Sequence, residues 1–223
     1  SYGLLHTAVD RPDGRLHLYF SGNNKNPAIL LISPAGDSFL IQPGSSASEL
    51  FAFTDPRLPF PQRKLNGMML TSNENIRLIE EIVQVLSPKD IFLLGHWEPS
   101  NTLDLLPGTS ANSTHLPDGG ILDFGNDLLV ALIPGDRQPE TVIISWLNFS
   151  AELVLEKSTQ PPSCAGNVLY TTGTEADLSP ACHPQIWISP DYGENTLPDV
   201  TLSQSGWLHI ISDGNQIWME TQK

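Results

Sequence analysis

The chain has 223 residues, 39% of them apolar, enough for one large domain with a substantial core. Twenty-five acids against eleven bases give a net charge of −14, a field that repels polyanions and argues against a binding surface built on phosphate contacts. No window approaches ~18 consecutive apolar residues and the first residues lack a signal-peptide pattern, so residues 1–223 are expected to be one domain excised from a larger protein.

In chain order, LHLYF (16–20) puts Leu16, Leu18 and Phe20 on one face of a strand. AILLIS (28–33) and SFLIQ (38–42) flank the turn signal PAGD and predict a hairpin. SASELFAF (46–53) predicts a short helix, and RLPFPQRK a Pro-rich surface loop. LNGMML (65–70) predicts a buried strand. Ile76, Ile79, Ile82, Val83 and Leu86 then recur at helical spacing, with Glu80, Glu81 and Gln84 opposite. Ser72 or Asn73 can cap that helix and Pro88 stops it. DIFLLG (90–95) predicts a second buried strand, completing a parallel crossover.

PGTSANSTHLPDGG (107–120) shows no apolar alternation and is expected to be a polar loop. GILDF and LLVALIP flank the turn GND, and ETVIISWL pairs with AELVLEK through NFS. NVLYTT (167–172) and QIWISP (185–190) are strands separated by a long loop. GWLHIIS and QIWMET flank an Asp-Gly turn. Several strands and few helices in each half predict a helix-poor α+β fold of two packed sheets.

Chemistry-bearing residues are sparse. Cys164 and Cys182 lie in turn-rich sequence without CxxC spacing. They admit a disulfide, two free thiols, or a metal pair with His183. The isolated, loop-borne placement favours the disulfide, which would contribute ~3 kcal/mol and imply an oxidising compartment. His96, in GHWEP, follows a strand. With Asp104 and a serine it suggests a triad, but no Gly-x-Ser-x-Gly elbow exists. GDRQPE and PDGGIL lack the lysine and following helix of a phosphate loop. Arg57, Arg63 and Lys64 form the one basic group, on a solvated loop. Trp97, Trp146, Trp187, Trp207 and Trp218 have faces suited to stacking on bases or sugars, yet four lie in or at apolar strands, where packing explains them. Asn112-Ser113-Thr114 and Asn148-Phe149-Ser150 match the glycosylation sequon.

Four landmarks in order carry a resemblance: the first hairpin, the PFPQRKL approach to a strand ending Leu70-Thr71, LDFGNDLLVALIP, and the closing SGWLHIISDGNQIWME. Over about residues 14–221 the chain resembles the metallo-β-lactamase fold. More narrowly, it is similar to the C-terminal metallo-β-lactamase-like domain of the bacterial competence proteins that form the DNA-uptake channel. The resemblance implies an αββα sandwich of two mixed sheets. Where the family places its aspartate in Leu-Ile-Asp-Gly-Gly, this chain has Gln42. Where His-x-His-x-Asp-His follows Leu-Thr, it has Ser72, Glu74, Ile76 and Arg77. Lys157 falls at or near the position of the bridging aspartate, and Thr172 near that of a later histidine.

Zinc or manganese needs three or more placed donors, and Glu74 is the one carboxylate in this set. Ser72 to Glu74 then serve as a helix cap. The resemblance therefore implies a metal-free, cofactor-free domain with a structural or partner-docking role. It would sit on the extracytoplasmic side of a bacterial membrane protein, without inserting into the bilayer itself. Its partners would be the transmembrane part of the parent channel or other uptake components, with DNA contact weak or indirect. The alternatives are a metal-dependent nuclease or hydrolase of the same fold acting on incoming DNA, and a secreted binding module unrelated to uptake.

Overall fold

A computed structural model describes residues 12–22, 26–58, 64–71, 76–95, 111–135, 140–155, 166–171, 182–190 and 198–222. They form two mixed sheets with few helices. The first sheet has the order β15 (Ile217–Gln222), β14 (Trp207–Ser212), β1 (Leu16–Ser21), β2 (Ala28–Ile32), β3 (Ser38–Pro43), β4 (Gly67–Thr71), β5 (Asp90–Leu94) and β6 (Asn112–Leu116). It is antiparallel from β15 to β3 and parallel from β3 to β6. The second runs β13 (Val200–Thr201), β12 (Ile186–Ser189), β11 (Val168–Thr171), β10 (Phe149–Val154), β9 (Thr141–Trp146), β8 (Leu128–Ile133) and β7 (Gly120–Asp123). Here β7 to β10 are antiparallel and β10 to β13 parallel.

Alternation in the sequence decides how the sheets meet. Leu16, Leu18 and Phe20 of β1 and Ile29 and Leu31 of β2 point toward Val130, Leu132, Val142 and Ile144 of the second sheet, in one buried layer. The outer face of the first sheet is covered by α1 (Ala47–Thr54) and α2 (Ile76–Leu86), over Leu30, Leu40, Met68, Leu70, Ile91 and Leu93. Ser46 Oγ accepts a hydrogen bond from Glu49 N and caps α1. In α2, Leu78, Ile79, Ile82, Val83 and Leu86 are buried while Glu80, Glu81 and Gln84 are exposed. The third helix, α3 (Leu202–Ser205), is one turn between β13 and β14. On the outer face of the second sheet, Val154, Leu169, Cys182 and Trp187 form a small cluster. Among the described residues, no helix is long and apolar enough to cross a membrane.

The expected strands, the short helix and the β4–α2–β5 crossover are all present. Two local readings need correction, and two short elements were not expected. Asn112–Leu116, within the expected polar loop, is the edge strand β6, paired in parallel with β5. An edge strand needs only backbone partners, so its exposed side chains carry no apolar alternation. Asn112 Nδ2 also donates to Asp90 Oδ1 at 2.9 Å. The β9–β10 connection is Leu147-Asn148 alone, because Phe149 is buried and already paired in β10. Leu147 adopts a φ of 52° to make so tight a turn. Finally β13 and α3, at two and four residues, are too short for any periodicity to mark them.

At the end of β1 the chain passes against the start of β14 with no space for a side chain. A Cβ on Gly22 would lie 1.7 Å from the Gly206 carbonyl oxygen. Both groups are backbone, so neither can rotate away. Gly22→Ala is expected to lower unfolding free energy by about 3 kcal/mol or more, read as a reduced urea midpoint with an unchanged slope.

Candidate functional site

The parallel strands β3, β4 and β5 end together, where the resemblance places metal donors. Gln42, near the end of β3, is 8% exposed. Its Nε2 donates to Asn26 Oδ1, while its Oε1 is buried without a hydrogen-bond partner among the described residues. The position therefore presents a neutral amide tied to a second amide. Such an acceptor left unmatched costs about 1–3 kcal/mol. Ile76 and Arg77 open α2. Ser72, Glu74, Lys157 and Thr172 lie outside the described residues, as do His96, Trp97 and Asp104. Among the described residues, no three His, Cys, Asp or Glu side chains converge to hold a metal ion.

Cys182 is disulfide-bonded and buried. Cys164 lies outside the described residues, and His183 is exposed. Trp146 is buried with its Nε1 donating to Asn126 O at 3.0 Å, and Trp187 is buried against Cys182. Trp218 is exposed beneath the Arg15 guanidinium, 5.1 Å from the ring centre.

Among the described residues, the strongest gathering of titratable groups lies elsewhere, on the outer face of the first sheet. With Leu16, Leu18 and Phe20 turned inward, His17 and Tyr19 must face outward. In β14, Leu208 and Ile210 turn inward and His209 outward. Register then aligns Tyr19, His209 and Glu220 in one row across β1, β14 and β15. His17 Nε2 lies 3.0 Å from Asp13 Oδ1, and His17 Nδ1 lies 3.0 Å from His209 Nε2. His209 Nδ1 lies 3.4 Å from Glu220 Oε2. The result is a carboxylate–imidazole–imidazole–carboxylate chain. Tyr19 stacks on His209 with ring centres 3.9 Å apart. Arg57, just past α1, donates to Phe53 O and lies over the rings of Phe53, Tyr19 and Trp207 at 4.4, 5.1 and 5.3 Å.

The number of bound protons decides which of the three contacts can form. Two neutral imidazoles supply two N–H groups for three contacts, so one contact always faces acceptor to acceptor. One added proton completes all three. A second would put N–H groups on both facing nitrogens and break the His17–His209 bond. Burial and the neighbouring His17 charge hold His209 down to about 4, with Arg57 adding to the effect and Glu220 opposing it. Partial burial works against the Asp13 carboxylate, but hydrogen bonds from His17 and the Arg15 N–H outweigh it and keep Asp13 below its usual range. Burial pushes Tyr19 up to about 12, and the Arg57 charge opposes that rise. Burial also lowers Arg57. His17 and His209 lie inside β1 and β14, where no sequence motif marks them. The signal that would have found them was the outward parity of two strands whose inward residues were already assigned.

No protein-family profile and no curated protein sequence matches the chain. Among solved structures it is similar to the metallo-β-lactamase fold protein YhfI from Bacillus subtilis, at 14% identity and a TM-score of 0.49, over 70% of each chain. It is also similar to the short form of human tRNase Z, at 12% identity and a TM-score of 0.45, over 72% of this chain and 80% of that one.

The histidine pair fixes the sign of a pH dependence. An unfolded His209 binds its proton near the ordinary imidazole value of 6.5, whereas the folded one does so at about 4. Between those values the unfolded state holds more protons, so stability falls as pH is lowered. The melting temperature is expected to drop from pH 6.5 toward 4, and to drop less in His209→Gln. Parallel slopes for the two proteins in a differential scanning calorimetry series would remove His209 as the cause.

Proposed function

We propose that this chain is a metal-free, metallo-β-lactamase-like scaffold domain that acts by docking a partner rather than by hydrolysis. The observation that carries the reading is Gln42: a buried amide, hydrogen-bonded to Asn26, occupies the position where a metal-binding relative needs a carboxylate. An amide supplies no charge to offset a dehydrated divalent cation. The sequence at Ser72, Ile76, Lys157 and Thr172 adds no strong donor.

The wider setting in this proposal is the extracytoplasmic part of a competence channel, with the transmembrane portion or other uptake components as partners. The order of sequence landmarks motivates it. A disulfide at Cys182 supports an oxidising compartment. We take Cys164 as its partner, since the chain holds two cysteines. The net charge of −14 disfavours broad phosphate contact, consistent with a domain that handles DNA weakly or indirectly.

Protein purified without chelator and dialysed against zinc or manganese is expected to carry substoichiometric metal by elemental analysis. It is also expected to leave single- and double-stranded DNA intact. One equivalent of metal, lost in Glu74→Ala, would replace the scaffold reading with that of a metal-dependent nuclease. Gln42→Asp is expected to gain no metal and to lose about 1–3 kcal/mol of stability. Non-reducing peptide mapping is expected to recover Cys164 linked to Cys182, and recovery of both as free thiols would remove the compartment argument.

A further inference from the structure

A second feature lies at the opposite end of the same parallel strands from Gln42. The starts of β3, β4 and β5, with β7 across from them, enclose a cleft of about 400 Å³. That volume falls at the small end of the range for small-molecule sites. Its aromatic wall is the half-buried Phe92 and Phe124, backed by the fully buried Phe39. Phe39 meets Phe92 at 5.8 Å and Phe124, edge-on, at 5.4 Å between ring centres. Gly67 makes this possible: a Cβ there would lie 2.8 Å from Phe39 Cδ2 and 3.4 Å from Phe92 Cε2. Ile121, 70% exposed, stands at the mouth.

Three carboxylates line the same cleft: Asp37, Asp90 and Asp123. Each is fixed through one oxygen only. Asp37 Oδ1 accepts from Asn66 Nδ2 at 2.7 Å. Asp90 Oδ1 accepts from Asn112 Nδ2 at 2.9 Å. Asp123 Oδ1 accepts from the Gly125 N–H at 2.7 Å. No other hydrogen bond to these carboxylates is formed through their second oxygens among the described residues. Asn66 is itself anchored, its Oδ1 accepting from Ser38 N at 3.0 Å. The carboxylates are thus oriented before any ligand arrives, which reduces the entropy lost on binding. Lys89, exposed on the lining, sets one positive charge against these three negative ones.

We propose that this cleft is a binding site for a small organic cation with a flat, apolar body. Electron-rich ring faces attract a cation and pack against a flat ring. Carboxylate oxygens with open acceptor positions hold amidinium or guanidinium N–H groups by charge-assisted hydrogen bonds. An anion meets net negative charge in the same place. The inference is independent of the scaffold reading, since the two sites lie at opposite ends of the strands and share no residue.

Benzamidine is the test probe, with neutral benzamide and anionic benzoate as shape-matched comparisons, each titrated into isotopically labelled protein and followed by NMR. Benzamidine is expected to give saturable shifts at Phe39, Phe92 and Phe124. Benzamide is expected to bind at least about tenfold more weakly, and benzoate not at all. The double variant Asp37→Asn, Asp90→Asn alters exposed or half-exposed side chains, and its fold is checked by its own spectrum. It is expected to weaken benzamidine at least about fivefold, an effect that rising salt imitates. Equal binding of benzamidine and benzamide would overturn the proposal. So would saturable shifts elsewhere on the protein, or no saturable shift in the millimolar range. Should the double variant fail to fold, Phe124→Ala with the wild-type probe series decides on the same criteria.

Discussion

The facing of the two sheets is the constraint from which the rest follows. Stacked sheets stand roughly 10 Å apart, with no room for water between their side chains. Leu16, Leu18, Phe20, Ile29 and Leu31 fill that layer from one side, and Val130, Leu132, Val142 and Ile144 from the other. Each such side chain contributes about 1.5–3 kcal/mol on burial. A slip of one residue in β1 would expose Leu16, Leu18 and Phe20 and drive His17 and Tyr19 into the dry layer. The apolar residues therefore decide where every polar neighbour goes.

Outward-facing chemistry inherits its geometry from that choice. Tyr19, His209 and Glu220 share a row because three strands keep their register. Arg57 joins them because Leu50 and Phe53 seat α1 on the sheet and carry the following turn over Tyr19 and Trp207. Stacking against rings lets the guanidinium be half-buried, since it is more weakly hydrated than an ammonium and binds ring faces. The four-group chain from Asp13 to Glu220 is tolerated because both outer carboxylates remain reachable by water, while the His17 and His209 imidazoles between them are mostly buried.

Legibility in the sequence tracked how each element is held. Elements held by side-chain burial could be read: the β2–β3 hairpin, the amphipathic α2, and the β14–β15 hairpin across Asp213-Gly214 all announce themselves by periodicity and turn residues. Those held by backbone alone could not. β6 pairs through its amides while Asn112, Ser113, Thr114 and His115 stay exposed, so nothing in its side chains marks a strand. The turn at Leu147-Asn148 defies composition, because a leucine rarely accepts positive φ. Long-range polar contacts were harder still. His17 and His209 are 192 residues apart and meet only through a strand order that places the chain's last hairpin beside its first strand.

The two ends of β3, β4 and β5 show how burial governs which polar groups a position can carry. At one end Gln42 is enclosed, and a lone unpaired carboxylate in its place would lose several kcal/mol of hydration. Among the described residues, an amide there forfeits a single hydrogen bond at Oε1. At the other end the cleft stays open, so Asp37, Asp90 and Asp123 keep water on one oxygen while the protein fixes the other. The same strands thus exclude charge where they are closed and collect it where they are open. Gly67 sits at the open end: because it has no side chain, the rings of Phe39 and Phe92 approach across it, and the charged rim stands over an aromatic wall.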